Sequence, residues 1–485
     1  MEGPMGLRSA AEYKESLHDD RAVYYRGKPV RDVVAHPELG IAVDHAAIDY
    51  RVAEDPKYHD LATVETADAG LISRYYHIPQ NADDLLKRSK LIETTTRLGH
   101  TLVILIKEIG TDALFALHLI SKQTDEHFGT EYFQRVTKFF NHCRKNDLAV
   151  AVAQTDVKGD RSRGPGDQTD PDYYVHIVDE TKDGIVVRGA KVHTSVSINA
   201  NEILVLPTRN FSEADSKYAL SFAVSPNTPG LKLIASPYAE GVVRDEFDYP
   251  ISAKHKMIET LTVFDDVFIP WDRVFLKGEW QMAGPLAKTF VEFHRFTAIS
   301  YKLPLVDLLL GSAELVADYN GTERAAHIRD KITWLISYAE TLRALVKMAA
   351  IECKKVALGI AVPNTLIVNM AKWHFARNYH QAMAYAQDIA GGLLVTAPAK
   401  DDLTSEEIGE YVRKYLGGRA GVDGEKRLRA INLVKDLTTT DFGGYQAVLA
   451  IHAEGSIEAE KMATLREHDA TAFKAYAREI AQISD

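Results

Sequence analysis

Cysteine is nearly absent from this chain: Cys143 and Cys353 are the only two among 485 residues. Two thiols cannot build a disulfide framework, and they cannot supply a Cys-rich metal site or an iron–sulfur centre within one chain. Basic charge is also in short supply. Lys and Arg total 57 against 68 Asp and Glu, a net charge of −11 that argues against a nucleic-acid surface and favours solubility. No apolar run approaches the ~20 residues needed to span a bilayer. No N-terminal stretch has the basic, apolar and cleavage regions of a secretory signal, so a cytoplasmic protein without membrane or nucleic-acid partners is expected. No complete Gly-x-Gly-x-x-Gly follows a strand pattern, which leaves a Rossmann dinucleotide site unsupported.

What is present is ordinary in amount and uneven in arrangement. With 46% apolar residues the chain can bury a large core. Up to about residue 145 the pattern is mostly helical, broken near Pro56 and Pro79, with helix-spaced apolar residues between Leu85 and Ile92. The continuous apolar run Leu102–Ile106 is expected to be helical from its neighbours. Between 146 and 277 short β-rich runs alternate with Gly/Pro clusters: Ile185–Val187, Ile203–Leu206, Leu220–Val224 and Leu261–Phe264. From 278 to 485 helical periodicity returns. The stretches Glu323–Leu358 and Asn364–Ala390 are long enough to form a bundle. Three domains are therefore expected, 1–145, 146–277 and 278–485, in an α+β chain with a central β-barrel or sandwich.

Two neighbouring segments are the most informative. Thr155-Asp-Val-Lys-Gly-Asp-Arg161 precedes the strand-like Asp183-Gly-Ile-Val-Val-Arg-Gly-Ala-Lys-Val-His-Thr-Ser-Val-Ser-Ile-Asn199. With Val263–Arg273, Gln387–Thr396 and the Ser9–Leu17 start, they resemble, in order, the family of 4-hydroxyphenylacetate 3-monooxygenase and 4-hydroxybutyryl-CoA dehydratase. The resemblance covers nearly the whole chain and implies an acyl-CoA dehydrogenase-like fold, FAD as cofactor and a homotetramer built as a dimer of dimers. The residues suit a flavin, whose flat ring needs a few hydroxyl and backbone donors and whose phosphates need positive charge. Thr194, Ser195, Ser197 and Asn199 offer such donors, with Ser195 at the family position that faces the reactive edge. Thr155, Lys158, Asp160 and Arg161 are candidates for the ring or the phosphates. Asp388, Gly391 and Gly392 belong to a loop that, in relatives, reaches a neighbouring subunit's cofactor. Taken singly, the glycines also read as an ordinary helix C-cap.

The resemblance breaks at the catalytic wall. In the dehydratase three cysteines and a histidine hold an iron–sulfur cluster; here the histidine is His294, and the cysteine positions carry Ile104, Glu108 and Tyr301. Those side chains are not the soft ligands such a cluster requires, so no iron–sulfur cluster and no metal is expected. His294, Glu259, Lys302, Tyr301 and Glu108 are the candidate catalytic residues. The plainer alternatives are an interior helix histidine for His294, an exposed helix carboxylate for Glu108 and a surface pair for Tyr301 and Lys302. The phenol contacts of the monooxygenase branch fall near Ile109, Ala113 and Val152 and are not recognisable. Two enzymatic readings follow. The favoured one is a two-component monooxygenase that receives FADH2 from a separate flavin reductase and uses O2 on an aromatic or related small substrate. The alternative is an iron–sulfur-free isomerase, dehydratase-like enzyme or dehydrogenase acting on a short-chain CoA thioester, supported by a greater overall likeness to the dehydratase. A non-catalytic scaffold would bind no flavin.

Overall fold

Two larger β-sheets, of six and four strands, pack beside an extensive set of helices, and the candidate residues are divided between the β part and the helical part. The structure is a computed structural model that describes residues 6–237 and 244–483. Twelve strands matter here: β1 (Val23–Tyr25), β2 (Lys28–Val30), β3 (Thr63–Thr66), β4 (Gly70–Ser73), β5 (Val150–Ala153), β6 (His176–Glu180), β7 (Gly184–Ser195), β8 (Glu202–Val205), β9 (Leu220–Val224), β10 (Leu231–Ala235), β11 (Glu259–Pro270) and β12 (Val274–Lys277). A six-stranded sheet runs β2-β1-β10-β11-β7-β6 and a four-stranded sheet runs β12-β9-β8-β5. The first sheet's β7 alternates buried and partly exposed residues, as expected of a strand with one wetter face. By contrast β5, β8 and β9 are buried at every position, so their apolar runs do not alternate. Across the sandwich Phe222 of β9 meets Phe264 of β11 edge-on, with ring centroids 5.8 Å apart. Among the described strands no barrel closes, which decides the expected barrel-or-sandwich in favour of two packed sheets.

Three of the four sequence-expected β runs lie wholly within strands. The fourth, Ile203–Leu206, matches β8 except for its last residue. The first third also supplies strands. Its β1 pairs in parallel with β10, Val23 opposite Leu233, and so joins the central sheet. On the far side Asp436 of the Gly424–Thr438 helix accepts from the backbone N–H groups of Ile251 and Ser252, at 2.8 and 2.9 Å. Helical, β and helical thirds thus follow one another in the acyl-CoA dehydrogenase-like order, with contacts crossing between them.

The Trp280–Asn320 helix is the spine of the helical part. Its 41 residues span about 60 Å and tolerate Pro285 and Pro304 within the helix. Against it pack the helices Ala82–Leu98, Glu108–Phe128, Ala326–Ile351 and Thr365–Ala390. The two long helices expected after residue 323 are therefore present as Ala326–Ile351 and Thr365–Ala390.

One local expectation fails. Leu102–Ile106 is not helical; it forms a buried, irregular connection whose Leu105 sits at φ +71°. Tertiary bonds hold the backbone there instead of helical ones. Val103 O accepts from His45 Nε2 at 3.0 Å, and Ile106 O accepts from Val150 N at 2.7 Å. A fully buried apolar run satisfies helix or strand, and these partners select an irregular path that is neither.

Helix Glu108–Phe128 lies directly on β5. A Cβ at Gly110 would sit 2.4 Å from Val150 Cβ and 2.5 Å from Val150 O, closer than any real contact. Gly110→Ala should therefore lower the thermal unfolding midpoint, with a cost of about 1–3 kcal/mol for overpacking. Gly311→Ala, in a helix position with nothing within 4 Å, should raise it slightly. Equal midpoints for Gly110→Ala and the parent would show that the helix–strand contact is slack.

Candidate active site

The end of β7 is built differently from the rest of the strand. His193 and Val196 both adopt left-handed backbone, each with φ +56°, and bracket Thr194 and Ser195. For a β-branched valine this conformation costs about 1–3 kcal/mol and persists only because the surroundings enforce it. Ser195 emerges half-buried and donates to Glu259 at 2.8 Å, the first residue of β11 across the ladder. Tyr445, from the Asp441–His452 helix, donates to the same carboxylate at 2.7 Å. Desolvation raises the Glu259 carboxyl above its ordinary value, and the two hydroxyl donors pull it back. Glu259 is thus an oriented carboxylate with proton affinity above that of a free one.

Thr194 is fully buried, and its Oγ1 has no hydrogen-bond partner within the protein. An orphan hydroxyl beside Ser195 fits a cofactor rim that supplies the missing partner. Ser197 and Asn199 turn into the interior. Ser197 Oγ is 2.7 Å from Thr260 Oγ1, while Asn199 O accepts from Tyr13 and its amide donates to Ala42 O. Their bonds lock the strand end against the N-terminal segment. Thr155 accepts through its carbonyl from Val192 N at 2.9 Å, which fixes the loop carrying Lys158, Asp160 and Arg161 alongside β7. Asp160 is exposed and accepts from Ser162 N and Oγ. Far from these, Asp388 pairs with Lys331 at 2.7 Å, and Gly391 and Gly392 end the Thr365–Ala390 helix with open space where a side chain would stand.

The helical wall has two polar knots. In the first, His294 Nδ1 donates to Asp112 Oδ2 at 3.2 Å. The other oxygen of Asp112 accepts from Arg88 at 2.8 Å and Thr297 at 3.1 Å, all buried. Arg88 also donates to Glu108 O and Thr111 Oγ1. A carboxylate on Nδ1 fixes the ring's tautomer and leaves Nε2 to act. The Glu108 side chain is fully buried and faces the Asp49 carboxyl. Desolvation first, and the neighbouring Glu108 second, push the Asp49 carboxyl well up. Glu108 is therefore an interior residue, and the exposed-carboxylate alternative is excluded.

In the second knot Tyr301 OH donates to Glu454, Lys302 Nζ lies 2.8 Å from the same carboxylate, and Lys302 Nζ is 3.1 Å from Tyr301 OH. Lys372 stands 3.6 Å from Glu454 and 3.3 Å from Glu460. Burial raises the Glu454 carboxyl and lowers the Lys302 ammonium, which brings their proton affinities together. Lys302 and Tyr301 are thus not a surface pair.

These placements decide the iron–sulfur question on chemistry. Ile104 is apolar and buried, Glu108 is turned towards Asp49, and the Tyr301 hydroxyl is engaged by Glu454. The two thiols lie elsewhere, Cys143 in the Tyr132–Lys145 helix and Cys353 after the Ala326–Ile351 helix. The donor set does not fit a cluster, and among the described residues no group of three or more His, Cys, Asp or Glu is placed to hold a metal ion.

Asp112, Arg88 and Tyr445 were not apparent from sequence alone. A signal existed for two of them. Arg88 lies on the Leu85–Ile92 apolar stripe and Asp112 within an apolar run, and an ionic residue on a buried helix face requires a partner. Tyr445 carried no such mark.

Comparison with known proteins agrees with this geometry. Residues 9–276 match the family described as 4-hydroxyphenylacetate 3-hydroxylase N terminal, and residues 283–482 match its C terminal counterpart. The 4-hydroxybutyryl-CoA dehydratase/vinylacetyl-CoA-Delta-isomerase of Clostridium aminobutyricum is 33% identical over 98% of this chain and 100% of its own length. The 4-hydroxyphenylacetate 3-monooxygenase oxygenase component of Thermus thermophilus is 30% identical over 90% of each chain. Among solved structures, an oxygen-tolerant archaeal 4-hydroxybutyryl-CoA dehydratase from N. maritimus superposes with a TM-score of 0.91 at 32% identity, covering 99% of this chain and 96% of the other. The oxygenase component of a 4-hydroxyphenylacetate 3-monooxygenase complexed with FAD gives 0.89 at 27% identity, covering 98% of each. The chain has the FAD-binding fold of these enzymes, without the ligands of an iron–sulfur cluster, and belongs to the 4-hydroxyphenylacetate 3-hydroxylase family of flavin-dependent oxidoreductases, which also includes the 4-hydroxybutyryl-CoA dehydratases.

Proposed function

We propose that this protein is an FAD-containing enzyme acting on a short-chain CoA thioester, with double-bond isomerisation as its reaction. The Ser195–Glu259–Tyr445 constellation carries this reading. Isomerising a β,γ-unsaturated thioester requires one proton to leave the α-carbon and one to be added at the γ-carbon, with no net oxidation. A single carboxylate of elevated proton affinity, held by two hydroxyls, suits that task, because a base works best when its pKa approaches the working pH. Thr194 and Ser195 would hold the ring edge of the flavin, which when bound supplies redox capacity and a flat face for the acyl chain. Around it His294, oriented by Asp112, and Lys302, coupled to Glu454 and Tyr301, give the wall proton-handling groups. The greater likeness to the dehydratase than to the Thermus monooxygenase points the same way.

The two-component monooxygenase, with a separate flavin reductase, is the second reading, favoured by the Thermus relative and by the family descriptions. The resemblance puts its phenol contacts near Ile109, Ala113 and Val152, which are apolar. Self-association into a tetramer is supported by the Thr471–Ile480 helix, where Phe473, Tyr476 and Ile480 are each 66% exposed along one face. Among the described residues no helix is long and apolar enough to cross a membrane, and we place the enzyme in the cytoplasm.

Anaerobic incubation of the FAD-loaded protein with but-3-enoyl-CoA should yield the conjugated 2-enoyl thioester, seen by its absorbance, with deuterium incorporated from D2O. Absence of product, together with O2 uptake on a phenol and reduced flavin, would replace this reading with the monooxygenase. Tyr445→Phe removes a donor that favours the ionised form of Glu259, so the carboxyl moves up. The acid limb of the pH–rate profile should then shift to higher pH. An unmoved limb would show that Glu259 is not the group titrating.

A further inference from the structure

Two acidic side chains meet in the interior of the N-terminal helical part. Asp49 belongs to the helix Ile48–Glu54, and Glu108 opens the helix Glu108–Phe128; they are 2% and 0% exposed. Each carboxyl lies within side-chain hydrogen-bonding reach of the other. Both oxygens of Asp49 and Oε1 of Glu108 are buried without a hydrogen-bond partner. Glu108 Oε2 has only the backbone N–H of Lys107, at 3.3 Å. Three of the four carboxyl oxygens therefore lack a donor, in a setting where an unsatisfied acceptor is costly and a charged one more so.

The groups that face the pair have directed their protons elsewhere. Lys107 Nζ pairs with Asp147 Oδ1 at 2.7 Å and stands 3.8 Å from the ring centroid of Tyr50. From the helix Ala82–Leu98, Arg88 donates through Nη1 to Tyr75 O and through Nη2 to Glu108 O, Thr111 and Asp112. Thr95 Oγ1 donates to Ile92 O, so the proton in its 3.1 Å contact with Tyr75 comes from the tyrosine. The hydroxyls of Tyr13, in the helix Ala10–Glu15, and of Tyr50 donate to the carbonyls of Asn199 and Asp147.

A proton held between the two carboxyls resolves the conflict. It supplies the missing donor and cancels one of two like charges in contact. Burial first and the facing Glu108 second push the Asp49 carboxyl well up, against a smaller opposing pull from Lys107. The position is also consequential. Glu108 stands one turn before Asp112, and its carbonyl shares Arg88 with the Asp112 carboxylate that orients His294.

We propose that Asp49 and Glu108 hold one proton between them at neutral pH and form an alkaline-sensitive latch between the helices Ile48–Glu54 and Glu108–Phe128. The Asp49 hydroxyl donates to the Glu108 carboxylate. Loss of that proton leaves two charges facing each other in the interior and loosens the root of the helix that carries Asp112. The folded chain keeps a proton that the unfolded chain releases above the ordinary aspartate range. Stability attached to the pair is thus fully present at acid pH and is lost as pH rises towards the elevated value of the folded state. The latch depends on neither the flavin nor the reaction, so failed isomerisation leaves it standing.

Infrared spectra and thermal melts of the FAD-loaded parent, Asp49→Asn and Glu108→Gln test the latch. In each variant an amide supplies the donor to the remaining carboxyl, so the shared proton is no longer needed. At neutral pH the parent-minus-variant difference spectrum should contain the carbonyl stretch of a protonated carboxyl, shifted in D2O, for either substitution. From weakly acidic to alkaline pH the parent should lose stability faster than either variant, towards a limit of about tenfold in the unfolding constant per pH unit for one retained proton. If one variant does not fold, the other carries both measurements. Difference spectra without a protonated-carboxyl band, or pH slopes equal in parent and variant, would overturn the proposal.

Discussion

The carboxylate of Asp112 is the point on which the helical half of the site depends. One buried side chain ties three helices: Arg88 from Ala82–Leu98, its own Glu108–Phe128, and Thr297 with His294 from Trp280–Asn320. A buried ion pair adds little net stability against an apolar substitute, yet removing one partner leaves a stranded charge that costs about 3–5 kcal/mol. Its value here is positional. Helices packed by apolar contact alone can slide or rotate; a carboxylate that must meet a guanidinium, a hydroxyl and an imidazole together fixes their relative setting. The orientation of His294 follows from that, as does the placement of Tyr301 and Lys302 two turns farther along the same helix.

The β half achieves rigidity by another route. Left-handed backbone on either side of Thr194–Ser195 stores strain, and the hydroxyl chain through Ser197, Thr260 and Thr262 keeps it from relaxing. Glu259 lies opposite Ser195 by strand register, an arrangement set by backbone pairing. Tyr445 alone comes from the far helix, so the carboxylate senses both halves of the molecule. Placing reactive groups on elements held this firmly limits their freedom to a narrow range of geometries.

Sequence reading recovered the fold because its three zones differ in period, and those periods report how each element buries its apolar face. It singled out the segment ending in Thr194–Asn199, where the backbone turns left-handed at His193 and Val196, because irregular backbone needs particular residues in a particular order. It misjudged Leu102–Ile106, where the deciding partners, His45 and Val150, are remote in the chain. Glu108 and Tyr301 were visible as replacements for cysteine, but not what they would do, since Asp49 and Glu454 lie 59 and 153 residues away respectively. Pairing between distant charges leaves no periodic trace. A charge on an apolar stripe, as with Arg88 and Asp112, shows only that some partner must exist.

The Tyr301–Lys302–Glu454 knot also constrains how this protein can change. A thiol placed at Tyr301 would remove the hydroxyl that Glu454 and Lys302 share, leaving buried charges less well satisfied before any metal could repay the loss. Ile104 and Glu108 are each committed to separate neighbours, one to the packed core and one to Asp49. Single substitutions towards a cluster site therefore each descend in stability with no gain until several are in place. The three positions that would have to supply cluster ligands are thus tied into separate interactions, so replacing any one of them disturbs its own neighbours first.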